Sequence, residues 1–174
     1  MTQAEVDAKL GVLNEHYAEE RYLLNSEIAA RRASLHQMRQ SADEAYNQAL
    51  IDTQQKLNAV MNERLALKSQ GLEAFAPAMQ DNYNAERNLQ GINRANKEAW
   101  KQRVRSIKSQ NTELQLESER RHKELRKQHH EAVRAVYEEY HNQSINQSIN
   151  QSINQSMTQA DAYAKVLTEQ QPES

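Results

Sequence analysis

The sequence predicts an all-α protein, specifically an elongated coiled coil built from two long helices. Three observations support this fold class. The 174 residues include only three Gly and two Pro, so few positions would interrupt a helix. A single Phe and a single Trp provide little large side-chain volume for a compact core. Apolar residues also recur at helical spacing over most of the chain, which is typical of amphipathic helices.

The first long helix is predicted over residues 1–70. Its apolar residues recur every eleven positions, as Leu13, Leu24 and Leu35 illustrate. An eleven-residue repeat corresponds to about 3.67 residues per turn and favours a nearly straight or slightly right-handed supercoil. The residues that we assign to the coiled-coil seam of this helix are Leu13, Tyr17, Leu24, Ile28, Leu35, Tyr46, Leu50, Leu57 and Met61.

A break between helices is predicted over residues 71–82. Gly71 suits the left-handed backbone conformation that often follows a helix C-terminus. Pro77 has no backbone N–H with which to continue a helix. Asp81 and Asn82 are candidates for the N-cap of the following helix, because their side chains can accept hydrogen bonds from its first N–H groups.

The second long helix is predicted over residues 83–141. It carries a thinner apolar seam with three-and-four spacing, and Asn111 and Ser118 interrupt it. The apolar members of this seam are Trp100, Val104, Ile107, Leu114, Leu125, Ala132, Val136 and Tyr140.

The two helices are expected to pair as an antiparallel hairpin, because neither can bury its apolar stripe alone. Residues 1–75 contain 8 Lys and Arg and 11 Asp and Glu, a net charge of −3, whereas residues 76–141 contain 13 and 10, a net charge of +3. These opposite charges and the short connection favour the hairpin. A kinked rod that dimerises along its length is the alternative arrangement.

Residues 142–156 repeat the tetrapeptide Asn-Gln-Ser-Ile. Asn and Ser compete for backbone hydrogen bonds and are mediocre helix formers, so we interpret this segment as a weakly ordered linker. A short amphipathic helix is predicted after it, over 157–170, followed by a tail at 171–174.

No catalytic, cofactor or metal site is predicted. Glu119–His122 and Glu138–His141 both have Glu-x-x-His spacing, but they lie nearly 30 Å apart on one predicted helix and cannot share a metal ion. Two paired helices are also expected to leave no cavity large enough for a small-molecule substrate. The sequence has no apolar run long enough to span a membrane and no secretory signal at its N-terminus, so the expected location is cytoplasmic.

One concentrated charged feature lies on the second helix. Its cations fall within about 80° of one another around the helix axis, and Trp100 lies beside them. We call them the basic ridge: Arg94, Lys97, Lys101, Arg105 and Lys108. The ridge could complement the acidic first helix, bind an acidic protein, or follow nucleic-acid phosphates.

These features predict a non-enzymatic structural or scaffolding protein that acts through helix–helix association, with itself as a homo-oligomer or with a protein partner. The alternative is a nucleic-acid-associated protein that uses residues 94–108. No residue motif ties the chain to a protein family.

Overall fold

A computed structural model describes residues 1–169 of the chain. These residues form two helices, α1 over Gln3–Ser69 and α2 over Pro77–Glu169, and they contain no strand. The predicted fold class is confirmed at this level: the protein is all-α, and two long helices pack against each other. The predicted tail at 171–174 and residue 170 of the predicted terminal helix lie outside the described residues.

Both ends of α1 are explained by local chemistry. The Thr2 side chain accepts a hydrogen bond from the Glu5 backbone N–H at 3.2 Å, which is the geometry of an N-cap. At the other end, Gly71 has a φ of 82°. The Gly71 N–H donates to the Lys68 carbonyl at 3.0 Å, and the Leu72 N–H donates to the Leu67 carbonyl at 3.3 Å. This pair of bonds is the Schellman motif, and it explains why α1 ends where glycine permits the left-handed conformation.

The second helix begins at Pro77, six residues before the predicted start at 83. Pro is well tolerated in a first turn, where its missing N–H would have no intrahelical partner and its fixed φ already suits a helix. Asp81 and Asn82 therefore lie inside α2 and do not cap it. The break is correspondingly shorter than the predicted 71–82.

The structure also differs from the prediction at the repeat, because α2 continues without interruption through residues 142–156 and on to Glu169. This stretch contains no Gly or Pro. Extending an existing helix adds a hydrogen bond for each residue without the cost of a new nucleus. The predicted linker and the separate terminal helix are therefore parts of one helix, although from Ile145 to Thr168 all side chains are exposed.

The chain divides into two compact units, each built from parts of both helices. Unit 1 comprises Met1–Leu24 and Arg120–Ser174, of which Arg120–Glu169 is described, and unit 2 comprises Asn25–Glu119. In unit 1, Lys9 contacts Glu139 and Tyr17 contacts His129. Residue numbers rise on one helix as they fall on the other, so the helices in this unit are antiparallel.

Unit 2 is also an antiparallel pair, with early residues of its α1 portion beside late residues of α2. Arg32 donates to Gln115, whereas Arg64 donates to Asn82. Its buried apolar side chains are Ile28, Leu35, Ala42, Met79, Val104, Ile107 and Leu114. In unit 1 the buried apolar side chains are Val6, Leu24 and Val136.

Candidate interaction surfaces

The residues assigned to the α1 seam differ in how far they are buried. Leu24, Ile28 and Leu35 are buried, whereas Met61 is 43% exposed. The other five are half-buried: Leu13, Tyr17, Tyr46, Leu50 and Leu57. Burial along the predicted α1 seam is therefore uneven, and apolar surface stays open at Met61 and in part at the half-buried positions.

A column of buried residues on α1 is not evident from the apolar pattern of the sequence. Ala42, Thr53 and Arg64 are eleven positions apart and are 5%, 4% and 9% exposed. The column follows the same eleven-residue spacing as the predicted seam, but two of its three members, Thr53 and Arg64, are not apolar. Thr53 is accommodated because its hydroxyl donates to the Ala49 carbonyl at 2.8 Å.

Arg64 is held by a polar network near the turn in unit 2. Its Nε donates to Asn82 Oδ1 at 2.7 Å, and its guanidinium forms an ion pair with Glu86. The same group lies over the Tyr83 ring, 4.4 Å from the ring centroid. Asn82 in turn donates from Nδ2 to the Val60 carbonyl at 2.9 Å. The network fixes the register of α2 against α1 through directional bonds that apolar contacts lack.

Trp100, which the sequence placed beside the basic ridge, packs against α1. Its ring stacks on Tyr46 with the centroids 5.0 Å apart, and its indole N–H donates to Asp43 Oδ1 at 2.8 Å. Arg39 Nε also donates to Asp43, at 3.1 Å. The indole hydrogen bond, together with the Arg39 guanidinium, lowers the pKa of Asp43 below its ordinary value against an opposing effect of burial. Trp100 therefore belongs to the contact between α1 and α2 in unit 2, and its side chain is only half-exposed to solvent.

The cations of the basic ridge point away from this packing. Arg94, Lys97, Lys101, Arg105 and Lys108 are all exposed. Within residues 1–169, the ion pairs that involve Lys or Arg join other residues, such as Lys9 with Glu139 and Arg31 with Glu117. In the described part of the chain, no ion pair joins a cation of the basic ridge to an acidic residue of α1. The expected complementarity between the ridge and the first helix therefore has no ion pair to support it.

A groove of about 520 Å³ lies between α1 and α2 in unit 2. The groove is open to solvent and is not an enclosed cavity, and small side chains at Ser34, Ser41 and Ser106 leave it unfilled. The lining also includes Arg103 and Ile107 but has no carboxylate, His or Cys. Serine hydroxyls without such a neighbouring base are weak nucleophiles, so the lining does not form a catalytic arrangement.

Within the described residues, no group of three or more His, Cys, Asp or Glu side chains is arranged to hold a metal ion. His129 stacks on Tyr17 with the ring centroids 4.5 Å apart, and it is half-buried at the helix interface of unit 1. Over the same part of the chain, neither helix contains a segment apolar enough to cross a membrane.

Comparison of the chain with models of known protein families, with curated proteins and with solved structures found no match. Its function is therefore inferred from its own residues and their geometry.

Proposed function

We propose that this protein is a non-enzymatic coiled-coil structural or scaffolding protein that acts through helix–helix association. One observation carries this proposal. Among the described residues, 18 large apolar side chains are exposed, whereas 10 apolar side chains are buried. Single exposed apolar residues are common in proteins, but here they outnumber the core. Two helices alone cannot cover two apolar surfaces of this extent, so we expect further helices to pack on them.

Strongly exposed members of this set occur on both helices. Val12, Tyr22 and Leu65 on α1 are 65%, 70% and 62% exposed, and Leu116 on α2 is 59% exposed. They occur in unit 1 and in unit 2. Such a distribution suits a protein that assembles along its helices with a second copy or with a helical protein partner.

We expect the full chain to associate in solution. Light scattering after size exclusion should give a mass of at least twice the 20.1 kDa of one chain, with a larger average mass at higher concentration. Mixing ¹⁴N- and ¹⁵N-labelled protein before lysine cross-linking would identify contacts between copies, because only those yield peptides of mixed isotope content. A chain that remains at 20.1 kDa and also captures no protein partner would contradict the proposal.

Nucleic-acid binding is the second candidate function, because the basic ridge is exposed and forms no ion pair within the described residues. From Arg94 to Lys108 the ridge extends over about 21 Å of helix, at about 1.5 Å for each residue. A row of cations on that scale can neutralise several phosphates, and each phosphate contact contributes to the salt dependence of binding.

Replacing Lys97, Lys101, Arg105 and Lys108 with Gln should leave the melting temperature nearly unchanged, because these exposed cations have no ion pair to lose. A scaffold without nucleic-acid function should show no gel-shift near physiological salt before or after the change. If the ridge binds duplex DNA, the wild type should bind, and the variant should lose up to about four units of slope in a plot of log affinity against log salt.

The matched control for the ridge replaces four other exposed cations of α2 with Gln: Arg120, Lys123, Arg126 and Lys127. It changes the net charge of the chain by the same amount. Equal loss of binding in both variants would indicate a general charge effect and would remove the support for the ridge as a site.

A further inference from the structure

The C-terminal part of α2 carries an apolar face that nothing in the described chain covers. Its seven large apolar side chains are between 43% and 67% exposed. We call them the C-terminal stripe: Ile145, Ile149, Ile153, Met157, Tyr163, Val166 and Leu167. At about 100° for each residue they lie within one half of the helix surface, and Asp161 and Lys165 lie on the other half.

The register of unit 1 explains why this face is open. Lys9 Nζ lies 3.2 Å from Glu139 Oε2, so residues of α1 before Lys9 lie beside residues of α2 after Glu139. Because α1 begins at Gln3, only about six residues of α2 beyond Glu139 have α1 beside them. From Ile145 onward the helix has no packing partner in the described chain, and Asn, Ser and Ile give it little intrinsic stability. A packed partner would stabilise it.

The chemistry of the stripe favours a second copy of the chain as this partner. Residues 142–160 contain no charged side chain, so they offer nothing for ionic recognition of an acidic or basic partner. The stripe is complementary to the same stripe of a second copy. Because Ile recurs every four residues, Ile side chains of the two copies lie opposite each other, and they do so again after a shift of four residues. Asn and Gln amides carry both donors and acceptors, so the amides beside the stripe can pair with the same amides of the other copy.

We propose that two copies associate through the C-terminal stripe as an antiparallel helix pair, an inference that rests on the proposed scaffolding function. In the register centred between Ile149 and Ile153, Ile145 of one copy lies beside Met157 of the other. Antiparallel packing also brings opposite ends of the two helix dipoles together. In this register the four side chains from Ile145 to Met157 of each copy pack on one another and would bury on the order of 800 Å², which suits a small interface that forms in a concentration-dependent way.

The test uses the full chain and two double variants that add the same charge. Ile149→Glu with Ile153→Glu places carboxylates in the stripe, and Gln147→Glu with Gln151→Glu places them on the opposite face of the same turns. Glu is at least as good a helix former as Ile, so helix propensity does not distinguish the variants. At one fixed protein concentration, light scattering should give at least twice 20.1 kDa for the wild type and for the Gln variant, and a mass that falls towards 20.1 kDa for the Ile variant. We expect the dissociation constant of the Ile variant to rise at least 100-fold.

Circular dichroism should show that the Ile variant keeps most of its helix content, since the altered residues are exposed. The stripe would be overturned as the interface if the wild type is oligomeric and the Ile variant stays oligomeric. The same holds if the Gln variant dissociates as much as the Ile variant does. Either result would leave the scaffolding proposal intact. A monomeric wild type would overturn the stripe as well, even if the stripe then proved to bind lipid vesicles. In that case capture of a protein partner would decide the scaffolding proposal separately.

Discussion

Replacing Leu24 and Leu35 with aspartate should largely unfold the protein at 37 °C. Leu24 is 5% exposed and Leu35 is 8% exposed, one in each compact unit. Each substitution removes a buried apolar side chain and places a carboxylate where water is largely excluded, at a cost of about 3–5 kcal/mol. Together they would remove most of the 5–15 kcal/mol by which typical domains are stable. Thermal unfolding followed by circular dichroism at 222 nm measures the effect.

The residue next to Leu24 provides a control, because it is also a leucine and can also be replaced with aspartate. Leu23 is 58% exposed, so Leu23→Asp adds an identical charge one position away without entering the core. We expect Leu23→Asp to change the free energy of unfolding by less than about 1 kcal/mol. If Leu23→Asp and Leu24→Asp were equally destabilising, burial against α2 would not be what stabilises α1.

Much of the first helix could be predicted from the sequence because its signals are local. The eleven-residue spacing identified Leu24, Ile28 and Leu35, all of which are buried. Gly71 marked the C-terminus, and its φ of 82° shows why only a residue without a Cβ fits there easily. Arg64 could not be found in this way, because its burial depends on Asn82 and Glu86 of the other helix.

The errors on the second helix have a common physical cause. Pro77 and the Asn-Gln-Ser-Ile repeat are both poor helix formers by intrinsic preference. Preference does not decide the outcome when Pro77 occupies a first turn or when the repeat extends a helix that already exists. Composition therefore located both segments correctly but gave the wrong backbone conformation.

The charged cluster at 94–108 shows how far sequence alone can describe a site. Helical spacing was sufficient to group the cations, because it depends only on positions along one helix. The role of Trp100 was not accessible, since its partner Asp43 is 57 residues away in the chain. Which cations remain unpaired likewise depends on the residues that α1 places beside them.

Replacing Arg64 with methionine should destabilise unit 2 by about 2–4 kcal/mol, although Met fills a similar volume. The change leaves Asn82 Oδ1 without its donor in a site where Asn82 is 2% exposed. It also leaves the partly buried Glu86 carboxylate without its cation. Removing one member of such a pair costs more than the pair contributes, because the remaining group stays desolvated and uncompensated. Urea denaturation of the full chain would measure the loss.

Two further variants distinguish this network from a general effect of losing an arginine. Arg87 is exposed and donates to Asn84 at 3.0 Å, so Arg87→Met should cost less than about 1 kcal/mol. Adding Glu86→Met to Arg64→Met removes the uncompensated carboxylate and should recover part of the stability, giving a clearly non-additive double-mutant cycle. Two results would contradict this prediction: additive losses in the cycle, or an Arg64→Met variant as stable as Arg87→Met. Either would show that the Arg64–Glu86 pair does not contribute to the stability of the packing between α1 and α2 in unit 2.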